Sequence, residues 1–316
     1  MSSIFQTPEW EKFKLETGYS KSFRADDVLI LKKDLPMGRS MLYSPMVPEN
    51  QEPARSCCNA AGGLRIKNND FWDQIRIFAK AENAIFYRVE FDIPTSYKLE
   101  AESWGIKKSF EEMQPEHTLV INLAKSEEEI LAQMKQKGRY NIKIAEKNNI
   151  LVRKTRNIDN FYDLYGRTGK RHKITFRNKN YFQALLDNLE PKGYGELFEA
   201  YGQVEGKETV LASAICTFYK GKAIYLFGAS SDEHKNLMAP YKLQWEMIRE
   251  AMRRQCTTYD FFGIAPEDKP NHPWAGVTRF KKQFGGEEIE IHGSYDKVFK
   301  PLGYKLFKIA EKLRRK

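Results

Sequence analysis

The chain has no apolar run approaching the ~18 residues that a membrane-crossing helix needs, so no span is predicted. Its first residues, Met1-Ser2-Ser3-Ile4-Phe5-Gln6-Thr7, have neither a basic region nor a long apolar one, so no secretory signal is expected. Cysteine is scarce. The four, Cys57, Cys58, Cys216 and Cys256, show no metal-ligand spacing, and the five histidines are scattered. No metal site is therefore expected. Neighbouring Cys57 and Cys58 would bridge each other only with strain, and reduced thiols in a cytoplasmic protein are the plain expectation. There is no Gly-x-Ser-x-Gly, and no cysteine sits in a catalytic signature, which removes a nucleophilic triad. No sequence repeat of about 20–50 residues is visible.

What the chain does have is basic charge. The 316 residues carry a net charge of +10 and 41% hydrophobic content, enough for about two domains with real cores. Lys135, Lys137, Arg139, Lys143 and Lys147 crowd one segment, and Lys305, Lys308, Lys312, Arg314, Arg315 and Lys316 another. Such a field favours polyanions: tRNA, a nucleotide diphosphate or an anionic membrane surface. Charge alone is explained equally well by solubility.

Periodicity supplies the elements. Val28–Leu31 and Met41–Tyr43 read as hairpin strands across a Pro36/Gly38 turn, Phe71 to Lys80 as a helix and Ala84–Val89 as a strand. Ser126 with Glu129 is a capping-box pattern opening a helix through Met134, with Gly138 weakening its middle. Asp159–Thr168 and Asn180–Leu189 are further helices. Glu196 to Ser230 is an antiparallel meander turning at Glu205-Gly206-Lys207 and Lys220-Gly221-Lys222. A helix from Pro240 to Arg254 and a strand at Tyr259 follow. Helix pair, meander, helix, strand is the order of an acetyltransferase-like (GNAT) domain, and a looser version occupies the first third.

The most informative stretch runs from Tyr259-Asp260-Phe261-Phe262-Gly263-Ile264 through an acidic, Pro-containing loop into Gly276-Val277-Thr278-Arg279-Phe280-Lys281-Lys282-Gln283-Phe284-Gly285-Gly286. Alternation there places Phe280 and Phe284 inward and leaves Arg279, Lys281 and Lys282 to reach an anionic ligand. By itself this is a solvated basic loop. As written, however, it resembles the C-terminal signature of the Fem family, the FemA/FemB/FemX-type aminoacyltransferases. Gly105–Ser109 with Gln114-Pro115 and Thr118–Leu123, the basic Lys137–Lys147 segment, Phe176-Arg177 with Tyr181-Phe182, Met238–Tyr241, and Ser294–Val298 with Pro301 and Tyr304 are similar to that family in the same order, over roughly residues 5 to 305.

The resemblance implies an α/β (α+β) fold of two GNAT-like domains with mixed, largely antiparallel sheets, at about 1–115 plus 291–316 and 116–290. It implies a monomeric enzyme moving an amino acid from aminoacyl-tRNA to the stem-peptide amine of a peptidoglycan precursor, either UDP-linked or lipid-linked. Larger members carry a long helical hairpin; this chain passes from Arg171-His172-Lys173 to the meander in about 25 residues, so it is similar to the arm-less branch. No cofactor is expected. Asp232 to Pro240 holds no glycine, and a CoA-binding acetyltransferase needs backbone amides there for the pyrophosphate.

An aminoacyl ester is already activated, so positioning and a cation near the developing oxyanion can supply most of the acceleration. On the resemblance, Lys281 with Phe280 is the catalytic pair. Arg177 and Tyr181 would hold the acceptor's diphosphate-sugar with Lys14 assisting; an arginine suits bidentate phosphate binding. Phe227 falls where the UDP-using branch has a tyrosine, so one hydroxyl is lost there. Glu90 is a structural or substrate-orienting acid. Read singly, each of these is more often a packing or solvent residue. The rivals are transfer to another acceptor, such as a protein amino terminus or a phospholipid, and a non-catalytic protein binding tRNA or a membrane surface.

Overall fold

The computed structural model describes residues 3–48, 69–172 and 177–314. Cys57, Cys58, Lys173, Phe176, Arg315 and Lys316 lie outside the described residues. The chain forms two compact units, Met1–Glu116 with Glu290–Lys316, and His117–Ile289.

The first unit begins with helix α1 (Pro8–Glu16). Thr7 caps it by accepting from Trp10 N, and Pro8 occupies the first turn, where a missing N–H costs nothing. Strands β1 (Lys21–Ala25), β2 (Val28–Leu35), β3 (Arg39–Pro48), β4 (Ala84–Pro94) and β12 (Glu287–Val298) form a sheet in that order, with short β5 (Lys107–Lys108) beside β12. Only β3–β4 is parallel among these pairs. The β1–β2 turn is Asp26-Asp27, both at positive φ, as a tight hairpin of this handedness requires. Lacking glycine, it gave no turn signal, and β1 was not expected from the sequence.

Strand β4 shows what period two does. Tyr87, Val89, Phe91 and Ile93 join helix α2 (Asn69–Ala81) through Phe71, Trp72 and Ile75 in one apolar core. Phe86, Arg88 and Glu90 face the other way, and Tyr304 and Phe307 of helix α9 (Pro301–Arg314) pack on Phe86 at ring separations of 5.1 and 5.0 Å. The antiparallel register puts Asp296 opposite Arg88 and Ser294 opposite Glu90.

In the second unit the sheet order is β6 (His117–Asn122), β11 (Thr258–Asp260), β10 (Lys222–Ser230), β9 (Lys207–Tyr219), β8 (Gly195–Val204) and β7 (Leu151–Thr155). Again one pair, β10–β11, is parallel and the others antiparallel. The meander turns where its glycines foretold, with Glu205-Gly206 and Lys220-Gly221 at positive φ. Helix α7 (Ala239–Arg253) lays Leu243, Met247, Ile248 and Ala251 onto one face together with α4 (Gln136–Lys147). Helices α5 (Asp159–His172) and α6 (Lys179–Leu189) pack on β8, β9 and β10.

The capping box of Ser126 and Glu129 is present, opening α3 (Glu127–Gln133). Gly138 does not weaken that helix, because α3 stops and α4 starts anew. Its role is close approach: a Cβ there would lie 2.5 Å from the Gln283 carbonyl oxygen. Gly138→Ala should therefore lower unfolding stability by about 1–3 kcal/mol. Gly276→Ala, with nothing within 4 Å of the added carbon, should leave it unchanged or raise it by up to about 1 kcal/mol. Urea midpoints of the two variants measure the contrast; equal midpoints would remove this account of Gly138.

Candidate active site

The basic-aromatic segment of the second unit is helical rather than alternating: α8 (Ala275–Lys281) runs into a short 3-10 turn over Lys282–Phe284. Helical spacing changes what faces inward. Phe280 and Phe284 still pack, Phe280 on Tyr241 at 5.0 Å and on Phe284 at 5.4 Å. Thr278, Lys281 and Phe284, three apart, are buried too. The expectation that Lys281 reaches outward from an alternating loop is thus corrected. Its Nζ donates to the Phe262 carbonyl at 3.1 Å and the Gly263 carbonyl at 2.6 Å, and lies 5.6 Å from the centre of the Tyr225 ring. Lys282 instead pairs with Glu288.

Those carbonyls are presented by a shaped turn. Buried Asp260 ends β11, accepts from Phe262 N at 2.8 Å and from the Thr118 hydroxyl, and pairs with Lys222 at 3.2 Å. Phe262 is held at φ +56°, a conformation with a strain cost for an aromatic residue. Thr278, one turn before Lys281, accepts from Ala265 N at 2.8 Å, so α8 is fastened to this turn twice. Burial pulls the Lys281 ammonium from 10.5 down to about 7, against the attraction of Asp260. Beside it, Tyr225 is pushed up to about 12 by burial, partly offset by a hydrogen bond with Gln244, which also accepts from the Tyr259 hydroxyl at 2.7 Å.

Arg177 and Tyr181 do come together: the guanidinium lies 5.0 Å from the Tyr181 ring centre, and Asn178 caps α6 by accepting from Tyr181 N. Phe227 joins them, 6.2 Å from Tyr181 and 5.1 Å from Phe182. A bulge in β10 separates this cluster from Lys281. Tyr225 pairs with Cys216 but Phe227 with the adjacent Ile215, so the two rings leave opposite faces of the sheet.

In the first unit Glu90 is fully buried. Its carboxylate accepts from Gln114 N at 2.8 Å, Met113 N at 3.1 Å, the Ser294 hydroxyl at 3.0 Å and the Tyr43 hydroxyl. Burial raises its pKa from the ordinary glutamate value, against those donors. Tyr43 stacks on Tyr19 at 6.1 Å, and Lys14 Nζ lies 5.2 Å from the Tyr19 ring, so Lys14 and Glu90 belong to one chain of contacts. The sequence did not single out Arg88. It is buried, bonded to Asp296 at 2.7 and 2.8 Å and to Glu111 at 2.5 Å, with its guanidinium over Phe86 and Phe110. A partner 208 positions away leaves no spacing signal.

The sequence profile described as the FemAB family matches residues 97–197 and 192–312. The chain belongs to the FemAB family. Among curated relatives, it is 23% identical over 315 residues to the lipid II:glycine glycyltransferase of Staphylococcus haemolyticus strain JCSC1435, spanning 77% of this chain and 74% of that one. It is also 23% identical over 335 residues to the enzyme of that name from Staphylococcus aureus strain USA300, spanning 78% and 80%. A crystal structure of FemX superposes with a TM-score of 0.81 at 20% identity, covering 96% of this chain and 94% of that one. The structure of L-PGS from Bacillus licheniformis gives 0.50 at 12% identity, covering 95% and 94%. The fold of this FemAB member is thus the two-unit, GNAT-like α/β arrangement. Among its described residues no helix is long and apolar enough to cross a membrane.

Because folding lowers the Lys281 pKa, the unfolded chain binds that proton up to the ordinary lysine value and the native protein only below about 7. Stability then rises with pH between those values and is lowest below them. Lys281→Met removes this dependence. Its thermal midpoint relative to wild type should be more favourable at about pH 6 than at about pH 9. A difference that does not change with pH would mean that Lys281 keeps its proton as an ordinary lysine does.

Proposed function

We propose that this FemAB protein transfers an amino acid from aminoacyl-tRNA to the stem-peptide amine of a peptidoglycan precursor, with no cofactor. The observation that carries this reading is the match to lipid II:glycine glycyltransferases over three quarters of the chain, with Lys281 seated at the matched C-terminal segment. In the reaction the amine nitrogen attacks the ester carbonyl and a C–N bond forms. The C–O bond to the tRNA ribose breaks, and the amine's proton ends on the ribose oxygen. A lysine near pKa 7 is neutral or charged at little cost, so Lys281 takes up a proton as negative charge develops and returns it as the ribose oxygen leaves. Phe280, by contrast, supports the site by packing.

The exposed face of α4 supports tRNA as the donor. Gln136, Lys137, Arg139, Tyr140 and Lys143 line a shallow depression of about 510 Å³. Arg139 is occupied with the carbonyls that end α3, which leaves Lys137 and Lys143 beside an exposed tyrosine ring. Lysines and a ring together suit phosphates and a stacked base. For the acceptor, the guanidinium of Arg177 stacked on Tyr181 offers a planar donor set to a diphosphate. Whether that acceptor is UDP-linked or lipid-linked follows from the products.

Purified protein incubated with charged total tRNA and either precursor should give a precursor heavier by one aminoacyl residue, abolished by ribonuclease. No product with either precursor, with label recovered in phospholipid or at a protein amino terminus, would replace the acceptor. Lys281→Met should depress kcat by about 10²–10³ with KM near normal, the effect of losing one charge-stabilising group. Arg177→Ala should raise the acceptor's KM about tenfold, one charged contact's worth, and leave kcat close to wild type. If Lys281→Met retains kcat, Lys281 only ties the Phe262–Gly263 turn and the catalytic assignment falls.

A further inference from the structure

Helix α9 presents two different faces. At 100° per residue, Gly303, Tyr304 and Phe307 cluster on one side, and that side is docked: Tyr304 and Phe307 on Phe86 and Phe110, Gly303 against Ile85 and Arg39. On nearly the opposite side Leu302, Leu306, Ile309 and Leu313 fall within about 60° of one another. These four are 81%, 58%, 49% and 66% exposed. Four large aliphatic side chains in one line, open to solvent, are not a core face. The start of the helix is tied to the β2–β3 turn through Asn83, which bonds both Gly38 O and Lys300.

Beside the stripe, Lys305 and Lys312 flank it, with Lys308 further round, and Lys300 and Arg314 stand at the two ends. Against these five basic residues the helix has one acid, Glu311, which pairs with Arg314 at 2.6 Å. A second copy of the same helix would bring lysine to lysine, with Glu311, already paired with Arg314, as the one acid on each helix. RNA would use the lysines and leave the leucines in water. An anionic lipid surface satisfies both, apolar side chains entering the acyl boundary and lysines meeting headgroup phosphates. From this juxtaposition of an exposed aliphatic stripe and unanswered basic charge, we propose that α9 is an interfacial helix that docks the protein on anionic membranes. The proposal stands on the helix and does not depend on the acceptor assigned above.

Vesicles of phosphatidylcholine mixed with phosphatidylglycerol should sediment the full-length protein, and vesicles of phosphatidylcholine alone should not. Raised salt should weaken the binding without abolishing it, since the apolar part is unscreened. The double variant Leu306→Ser, Leu313→Ser should bind the anionic vesicles at least about tenfold more weakly, as should Lys305→Glu, Lys312→Glu. Both sets are at the surface, so the thermal midpoint should stay within a few degrees, which separates lost docking from lost folding. Absence of binding to the anionic vesicles overturns the proposal, whether the stripe then proves to hold a dimer by light scattering or RNA by gel shift. Equal binding by wild type and the leucine variant overturns it too.

Discussion

One amine, Lys281 Nζ, holds the turn that follows β11 in shape. The turn at Phe262 leaves two backbone carbonyls pointing into a nearly dry interior, where an unpaired acceptor costs on the order of 1–3 kcal/mol. Lys281 answers both carbonyls. Around it the contacts follow in sequence. Asp260 bends the chain, Thr278 fastens α8, and the two glycines after Phe284 let the backbone pass within van der Waals reach of Gln133 and Val120. Gln283 O then accepts from Lys135 N at the start of α4. Neutral or charged, the amine can donate to both carbonyls, and burial draws its pKa down to about 7.

The first unit solves a related problem by the opposite means. Arg88 is also sealed from water, but it keeps its charge because two carboxylates and two aromatic faces surround it, and its pKa is raised, not lowered, by Asp296 and Glu111 despite burial. Such a network adds little net stability over an apolar core. What it fixes is register: slipping β12 by one residue would turn Asp296 and Ser294 away from Arg88 and Glu90. Glu90, the acid the sequence offered as structural or substrate-orienting, holds the 113–114 backbone in place.

How much of this was legible depended on whether the signal was local. The meander, its two glycine turns, the capping box at Ser126 and helix α7 are written in short-range patterns, and all four occur in the structure. Strands β1 and β7 were missed because one turns on Asp-Asp and the other is a polar edge. The segment around Lys281 is ambiguous in sequence for a sharper reason. A stretch of alternating apolar and basic residues fits period two, yet Thr278, Lys281 and Phe284 are also three apart, and only the contacts with Ala265 and Gly263 decide between the two. The bulge in β10 that sends Tyr225 and Phe227 to opposite faces has no local signal at all.

Helix α9 joins the two themes of buried network and open surface. Its Tyr304 hydroxyl donates to Asp296 at 2.6 Å, the same carboxylate that holds Arg88, while Gly303 lets the helix lie close to Ile85. The inward face is therefore specified by one hydrogen bond, two rings and one close approach. Rotating the helix to bury Leu306 and Leu313 would break all of these and strand a buried carboxylate partner. The aliphatic stripe is outward because the Arg88 network requires it to be, so its exposure is a consequence of the fold, and the flanking lysines decide what surface it can meet.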